Sequence, residues 1–252
     1  DKAYLVTTAH DEPSFHIKRI FSPLFASAKG LIFLAEKEKE LVNRIYEIPP
    51  GVKQITGGYG VPDPVPLSAD DELKLNKKYK KLLELPYFLF VGRACVTKRC
   101  YELIEAYKRA TDEYGMKTRL VFAGFLDMEL DAGRKDIVSV GFVSEQEKAF
   151  LMKHARALVN PSATESLSMV LLESWINDTL VIANGECEVM KELCDKSGGG
   201  VYYHSRAMFR GLLKWAYENE EASRRLGKTG HEFVKKEFVW EKVRKRYLEA
   251  VT

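Results

Sequence analysis

Pro161-Ser162-Ala163-Thr164-Glu165-Ser166-Leu167-Ser168-Met169-Val170-Leu171-Leu172-Glu173 follows the apolar run Ala157 to Asn160 and continues as a helical pattern from Ser168 to Ile176. A strand that empties into a small polar loop and then a helix leaves the first helical N–H groups without intrahelical partners, at the positive end of the helix dipole. Ser166, Leu167, Ser168 and Met169 therefore frame a candidate anion site. Glu173 falls one to two turns inside the helix, where its carboxylate can accept both hydroxyls of a ribose. The plainer reading is that Glu165 helps cap the helix and Glu173 is solvated on its outer face.

From Tyr87 onward, β-branched and aromatic runs alternate with longer helical patterns, the signature of a parallel sheet with crossover helices. Strands are expected at Phe88 to Val91, Arg119 to Ala123, Ile137 to Val140, Ala157 to Asn160, Leu180 to Ala183 and Val201 to Tyr203. Helices are expected at Cys100 to Tyr114, Ser144 to His154, Ser168 to Ile176 and Glu188 to Leu193. Together they make a doubly wound α/β domain. Upstream, Ala3 to Thr7, Leu31 to Leu34 and Val52 to Ile55 read as strands and Glu36 to Tyr46 as a helix, few elements for an independent lobe. The run Gly57-Gly58-Tyr59-Gly60-Val61-Pro62-Asp63-Pro64-Val65-Pro66 breaks both periodicities and reads as a hinge. The expected organisation is a partial first lobe with hinge over 1–62, a Rossmann-like domain over 63–235, and a helix over 236–252 packing back on the first lobe. Arg206 to Thr252 reads as two or three helices with a break near Phe238 to Trp240. The start at Asp1, already close to a strand, suggests a fragment of a longer protein.

Composition narrows the class. The 252 residues are 46% hydrophobic and 30% charged, with 39 basic and 36 acidic residues dispersed to a net charge of +3, which gives no reason to invoke nucleic acid. Cys95, Cys100, Cys187 and Cys194 contain no Cys-x-x-Cys pair and no His at zinc-ligand spacing, so they read as reduced cytosolic thiols. No apolar run reaches the roughly 18 residues that span a bilayer. The run Lys77-Lys78-Tyr79-Lys80-Lys81 reads as a solvated helix face in preference to a lipid or nucleic-acid patch.

A second cluster stands where the Phe88 to Val91 strand ends. Gly92-Arg93 opens a loop that Lys98-Arg99 closes. Ligands of open α/β sheets bind outside the carboxyl ends of strands, so these cations face the crevice. Arg93 can fork two phosphate oxygens and Lys98 adds a point charge. A surface ion pair is the alternative for either one alone.

With these blocks the chain resembles the retaining glycosyltransferases of family 4, the glycosyl transferases group 1, whose fold is the two-lobed GT-B type. The resemblance rests on Val91-Gly92-Arg93 with Lys98, Leu120-Val121-Phe122-Ala123-Gly124, Val140-Gly141-Phe142-Val143-Ser144, Pro161 through Glu173, and Val181-Ile182-Ala183. It spans Tyr87 to Tyr203. Cys187-Glu188-Val189 and Ser197-Gly198-Gly199-Gly200-Val201-Tyr202-Tyr203 look like a bacterial envelope-polysaccharide branch.

The resemblance implies two Rossmann-like lobes with parallel sheets, the first incomplete here. It implies transfer of a hexosyl-type group, with retention, from a UDP- or GDP-linked sugar to a hydroxyl of a glycan, lipid-linked or small-molecule acceptor. Arg93 and Lys98 would bind the diphosphate and Glu173 the ribose. Gly141, Phe142 and Val143 would cradle the base, with Gly92 beside the phosphates. Glu165, with Ser166 and the amides of Leu167, Ser168 and Met169, would contact sugar and phosphate. His10, in Thr8-Ala9-His10-Asp11, would lie near the transferring centre with Glu165, Arg93 and Lys98; a structural histidine is the alternative. No cofactor and no metal are expected, since Asp-x-Asp is absent and Arg and Lys would take the metal's place. The expected location is cytoplasmic, with peripheral contact at the inner face of a membrane.

Two positions depart from the family pattern. Ser168 stands where Gly is common, narrowing the space over its amide, and Asn177-Asp178-Thr179-Leu180 replaces a small-Gly-x-Pro turn. Competing readings are a nucleotide-sugar 2-epimerase of the same fold and a truncated nucleotide-binding module without transferase activity. A Gly-x-Ser-x-Gly hydrolase, a P-loop nucleotidase and a His-Glu-x-x-His protease lack their signatures.

Overall fold

The computed structural model describes residues 3–64, 66–130 and 133–252. Asp1 and the Val65 of the expected hinge lie outside the described residues.

Six short β-rich runs pair in parallel into one sheet: β4 (Tyr87–Val91), β5 (Arg119–Ala123), β6 (Ile137–Gly141), β7 (Ala157–Asn160), β8 (Val181–Asn184) and β9 (Gly200–Tyr203). Their spatial order is β6-β5-β4-β7-β8-β9. The chain builds outward from β4 to β6, then crosses back to place β7 on the other side of β4. That reversal opens a crevice between the loops after β4 and β7, the usual ligand position in such sheets.

Side-chain alternation divides the strands between two cores. Tyr87, Leu89, Val121, Leu158 and Val181 face Phe150, Leu171, Trp175 and Val234. Phe88, Phe90, Leu120, Phe122 and Ile182 face Leu103, Tyr107, Phe209 and Leu213. The first face is covered by α6 (Glu145–His154), α7 (Met169–Ile176), α8 (Glu188–Ser197) and α10 (Glu220–Glu237), and the second by α5 (Cys100–Tyr114) and α9 (Arg206–Glu218).

A smaller parallel sheet, in the order of its name, holds β1 (Tyr4–Val6), β2 (Gly30–Phe33) and β3 (Lys53–Thr56), with α1 (Lys18–Ser27) and α2 (Glu36–Ile45) between them. Phe15, Phe25, Val42 and Tyr46 fill its core, with Phe25 and Tyr46 rings edge to face at 5.0 Å. The 3-10 turn Pro13–His16 and α1 lie where no element is expected from the sequence. Pro23 inside α1 and an N-cap without a side-chain hydrogen bond hid it. The tail ends in α11 (Trp240–Val251), which packs on β2 and β3, and Tyr247 Oη donates to the Gly58 carbonyl at 3.0 Å. Among the described residues no helix is long and apolar enough to cross a membrane.

Several expected boundaries move by a residue or a turn. The first strand is shorter than Ala3 to Thr7. Ser144 and Ser168 stand outside their helices as N-caps. The helix expected to stop at Leu193 runs to Ser197, because Gly198 takes the left-handed conformation that ends a helix. The run Lys77 to Lys81 straddles α3 (Ala69–Lys78) and α4 (Lys80–Leu83), its lysines exposed around a buried Tyr79 whose ring stacks on Phe150 at 6.1 Å.

One of those lysines carries a pH prediction. Lys78 pairs with Glu147, which also accepts from the Ser144 amide at 2.9 Å in a capping box, and these partners hold the Glu147 carboxyl down at about 2. A depressed carboxyl contributes stability that is complete above its ordinary 4.5 and is lost as pH falls toward the folded value. Melting temperature should therefore fall between those pH values, and Glu147→Gln should flatten that part of the profile. An unchanged acid slope in the variant would show that other groups govern it.

Candidate active-site crevice

At the end of β4 the backbone turns sharply at Gly92, φ +133°, and the neighbouring β5 ends at Gly124, φ +128°. A Cβ at Gly124 would stand 2.2 Å from the Gly92 carbonyl oxygen, so the two strand ends approach as closely as they do only without side chains. This puts Arg93 at the crevice mouth, where its side chain is exposed. Burial works to raise the Cys95 thiol, but the Thr97 hydroxyl, the Lys98 amide and the Arg93 guanidinium hold it below its ordinary value.

Lys98 closes that loop and meets the other one: its Nζ lies 2.7 Å from a Glu165 carboxylate oxygen. The pair joins residues 67 apart in sequence across the sheet reversal. Glu165 is the more enclosed partner, its side chain 16% exposed against 38% for Lys98. Asn160, the last residue of β7, organises the loop. Its amide Nδ2 donates to Ser168 Oγ at 3.0 Å and its Oδ1 accepts from the Ser162 amide at 3.1 Å. Asn184, the last residue of β8, does the same one strand over, donating to the Pro161 carbonyl and accepting from the Glu186 amide, both at 3.0 Å.

Ser168 adopts φ 65°, ψ 73°, the left-handed region a glycine occupies without strain. Its buried hydroxyl is turned inward to Asn160 rather than out over the loop. The narrowing expected over the Ser168 amide is therefore not where the side chain goes. Asp178, at the other departure from the family pattern, also has a positive φ, 59°. Both positions keep a glycine-type backbone with a side chain attached. Leu167 is buried and anchors the loop, Ser166 and Met169 are half-buried beside it, and α7 starts without a side-chain cap.

Glu173 is half-buried and paired with Lys148 Nζ at 2.9 Å, while Lys148 also meets Glu145 at 2.8 Å. At the end of β6, Gly141 and Val143 are half-buried and Phe142 is 80% exposed, its ring 6.3 Å from that of Phe125, 50% exposed. Two open aromatic faces side by side suit a planar base.

His10 comes from the first lobe into a cleft of about 320 Å³ lined also by Thr164, Glu165 and Glu186. Its Nδ1 is buried and has no hydrogen-bond partner among the described residues. The loop holding it is fixed by Glu38, a fully buried carboxylate that accepts from the Ala9 and Leu34 amides, each at 2.6 Å. Burial raises the Glu38 carboxyl, against those amides.

The crevice thus brings together Gly92, Arg93, Lys98, Glu165, Ser166, Leu167, Ser168 and Met169, with His10 across the cleft. Glu173 with Lys148, and Gly141, Phe142 and Val143, flank it. Sequence reading missed Asn160, Asn184, Lys148, Glu38 and Phe125. A polar residue closing an apolar strand was the available signal for the two asparagines. Nothing local marks Glu38, one of several charged residues in a helix. Among the described residues no three His, Cys, Asp or Glu side chains come together as a metal site.

Paired parallel sheets, a ligand crevice at the sheet reversal, and a tail helix returning to the first lobe define a GT-B type fold. Three of the solved structures that share it show the likeness. HepE from Anabaena, crystallised with UDP and glucose, superposes with a TM-score of 0.80 at 13% identity over 99% of this chain and 71% of its own. TarM from S. aureus, as a variant in complex with fondaparinux, alpha-GlcNAc-glycerol and UDP, gives 0.77 at 12% identity over 99% of this chain and 50% of its own. WaaG, a glycosyltransferase involved in lipopolysaccharide biosynthesis, gives 0.73 at 15% identity over 95% of this chain and 68% of its own. The chain therefore spans half the length of TarM and about 70% of the other two. No curated protein matches its sequence. Residues 71–233 match the family described as glycosyl transferases group 1. The chain belongs to that family.

Proposed function

We infer that this chain carries the nucleotide-sugar half of a retaining glycosyltransferase, one that moves a hexosyl group from a UDP- or GDP-linked sugar to a hydroxyl of an envelope glycan or its precursor. The observation that carries this reading is the meeting of Lys98 and Glu165 across the sheet reversal, with Arg93 in the same loop as Lys98, beside the uncapped start of α7. HepE and TarM were both crystallised with UDP, which supports a uridine nucleotide first.

Mechanistically, the diphosphate gains charge as the bond to the anomeric carbon breaks. Arg93, Lys98 and the α7 amides then stabilise the transition state more than the bound ground state. Glu173 would exchange Lys148 for the two ribose hydroxyls, and Phe142 with Phe125 would stack on the base. The buried Nδ1 of His10 and the Glu165 carboxylate would hold the sugar from opposite sides of the cleft. As the family resemblance implies, the acceptor hydroxyl would enter on the face the diphosphate leaves and pass its proton to the departing phosphate oxygen, which gives retention without a protein nucleophile. No cofactor or metal is part of this reading, and contact with a membrane surface would bring lipid-linked acceptors to the first lobe.

Titration of UDP and GDP by calorimetry tests it. Arg93→Ala is expected to weaken binding of the preferred nucleotide by about ten- to a hundredfold, as loss of a charge-assisted bidentate contact does. Equal affinity in wild type and variant would remove Arg93 from the diphosphate site and with it the main support for the reading.

A further inference from the structure

A second cavity, of about 420 Å³, lies on the α5–α9 face of the larger sheet, outside the crevice described above. Four guanidinium groups line it: Arg99 and Arg109 from the start and middle of α5, Arg206 and Arg210 from the first turns of α9. Arg99 is answered by Glu186 at 2.7 Å and by Glu102 at 3.9 Å, and Arg210 by Glu113 at 3.1 Å. Arg109 and Arg206 have no ion pair among the described residues.

The helix start sharpens this imbalance. α9 is 13 residues long, is capped by Ser205, and has no acidic residue in its first turn. It opens instead with Arg206, a cation at the positive end of the helix dipole, where a negative group is favoured. The lining carboxylates do not settle the charge. Glu186 and Glu102 are both engaged by Arg99, and Glu105 is more than half exposed and paired with Lys108 at 3.2 Å.

A second observation points to the missing group. Tyr203, the last residue of β9, is 5% exposed, lines the cavity, and packs its ring flat on Phe209 at 3.9 Å. Its hydroxyl is buried with no hydrogen-bond partner among the described residues. An unmade hydrogen bond of that kind costs as much as a sizeable mutation, so a buried donor facing a cavity is a position where a bound acceptor belongs. Arg99 adds backbone evidence of a held geometry, a non-glycine residue at φ 54°.

We propose that the cavity between α5 and the first turns of α9 is a second binding site, for a small phosphate ester. Planar guanidinium forks match phosphate oxygens in pairs, the positive end of α9 favours the same charge, and the Tyr203 hydroxyl donates the remaining bond. The site does not depend on the glycosyl-transfer reading, since none of Arg109, Arg206 and Tyr203 lines the crevice that holds Lys98 and Glu165. Arg99 follows Lys98 directly, and Glu186 lines both this cavity and the His10 cleft, so the two sites share one wall.

The test uses inorganic pyrophosphate as probe, by calorimetry at constant ionic strength in chloride buffer, with the whole chain. Arg93→Ala serves as the background, because pyrophosphate also suits the first crevice. In that background one equivalent is expected to bind. Adding Arg109→Ala with Arg206→Ala should raise its dissociation constant about tenfold or more, and adding Tyr203→Phe about three- to fivefold, as loss of charged and neutral hydrogen bonds does. The two arginines are exposed, so their removal leaves the core intact, and an unchanged melting temperature verifies it. An unchanged dissociation constant in the arginine variants overturns the proposal, and so does absence of binding in the Arg93→Ala background. Loss of UDP binding in Arg93→Ala bears only on the first crevice, which keeps the two failures apart.

Discussion

Lys98→Ala is expected to lower kcat/KM for the nucleotide sugar by about a hundred- to a thousandfold, the usual consequence of deleting one preorganised charge aimed at a developing anion. The expectation depends on where Lys98 sits. Its ammonium is half-buried and paired with Glu165 at 2.7 Å, so it is already oriented before any ligand arrives. A cation held this way needs little reorganisation as the diphosphate departs. Glu165→Gln separates the two members of the pair. Without the carboxylate, Lys98 has no competitor for phosphate oxygens, and UDP should bind equally well or up to about fivefold tighter, the scale of a partly exposed ion pair. Turnover should nevertheless fall, because Glu165 would contact the sugar itself. Donor turnover and UDP affinity measured on both variants decide the matter. Weaker UDP binding in Glu165→Gln, together with unchanged turnover in Lys98→Ala, would make the pair a structural strut.

The two loops that form this pair were legible in the sequence because each obeys a local rule. Apolar runs ending in Gly92-Arg93 and in Asn160-Pro161 are strand ends, and strand ends of a parallel sheet face ligands. Their distance from one another was not legible. Only the sheet order, with β7 returning beside β4, brings residues 67 apart into contact. The larger sheet could be read strand by strand since buried parallel strands are short, continuous and β-branched. The first lobe was less readable. Its 3-10 turn and α1 carry Phe15, Phe21 and Phe25 into one aromatic cluster with Tyr46, but Pro13 and Pro23 interrupt the helical pattern that would have announced them.

Glu38 shows a different limit. In sequence it is one acid among Glu36, Lys37, Lys39 and Glu40, a pattern that reads as a solvated helix face. In the fold it is fully buried, binding the Ala9 amide beside His10 and the Leu34 amide at the end of β2. A helix only ten residues long turns one of its charged positions inward because the neighbouring strand ends offer unpaired N–H groups there, a tertiary condition that no local window contains. The α5–α9 cavity was hidden for the same reason. Its arginines come from two helices about a hundred residues apart.

Glycines supply the largest expected effect on stability, and its sign reverses between two helices. Gly211, within α9, has nothing within 4 Å of where a Cβ would stand, so Gly211→Ala should stabilise the chain by roughly 0.5–1 kcal/mol through helix propensity alone. Gly227, within α10, is different. A Cβ there would fall 2.2 Å from the Asp178 carbonyl oxygen and 2.8 Å from the Thr179 nitrogen, both backbone atoms of the turn between α7 and β8. That turn already holds Asp178 at φ 59°, and one turn along α10, Gly230 meets the buried Trp175 ring of α7 just as closely. Backbone on both sides leaves no flexible side chain to give way. Gly227→Ala should therefore cost about 1–3 kcal/mol or more, despite the same gain in helix propensity. Because α7 also carries Glu173 and begins at the Ser168 loop, the displacement reaches the crevice, and UDP affinity should fall in Gly227→Ala and stay unchanged in Gly211→Ala. Urea denaturation and UDP titration of the two variants give both signs. Equal stabilisation by the two substitutions would mean that α10 stands farther from α7 than this packing requires.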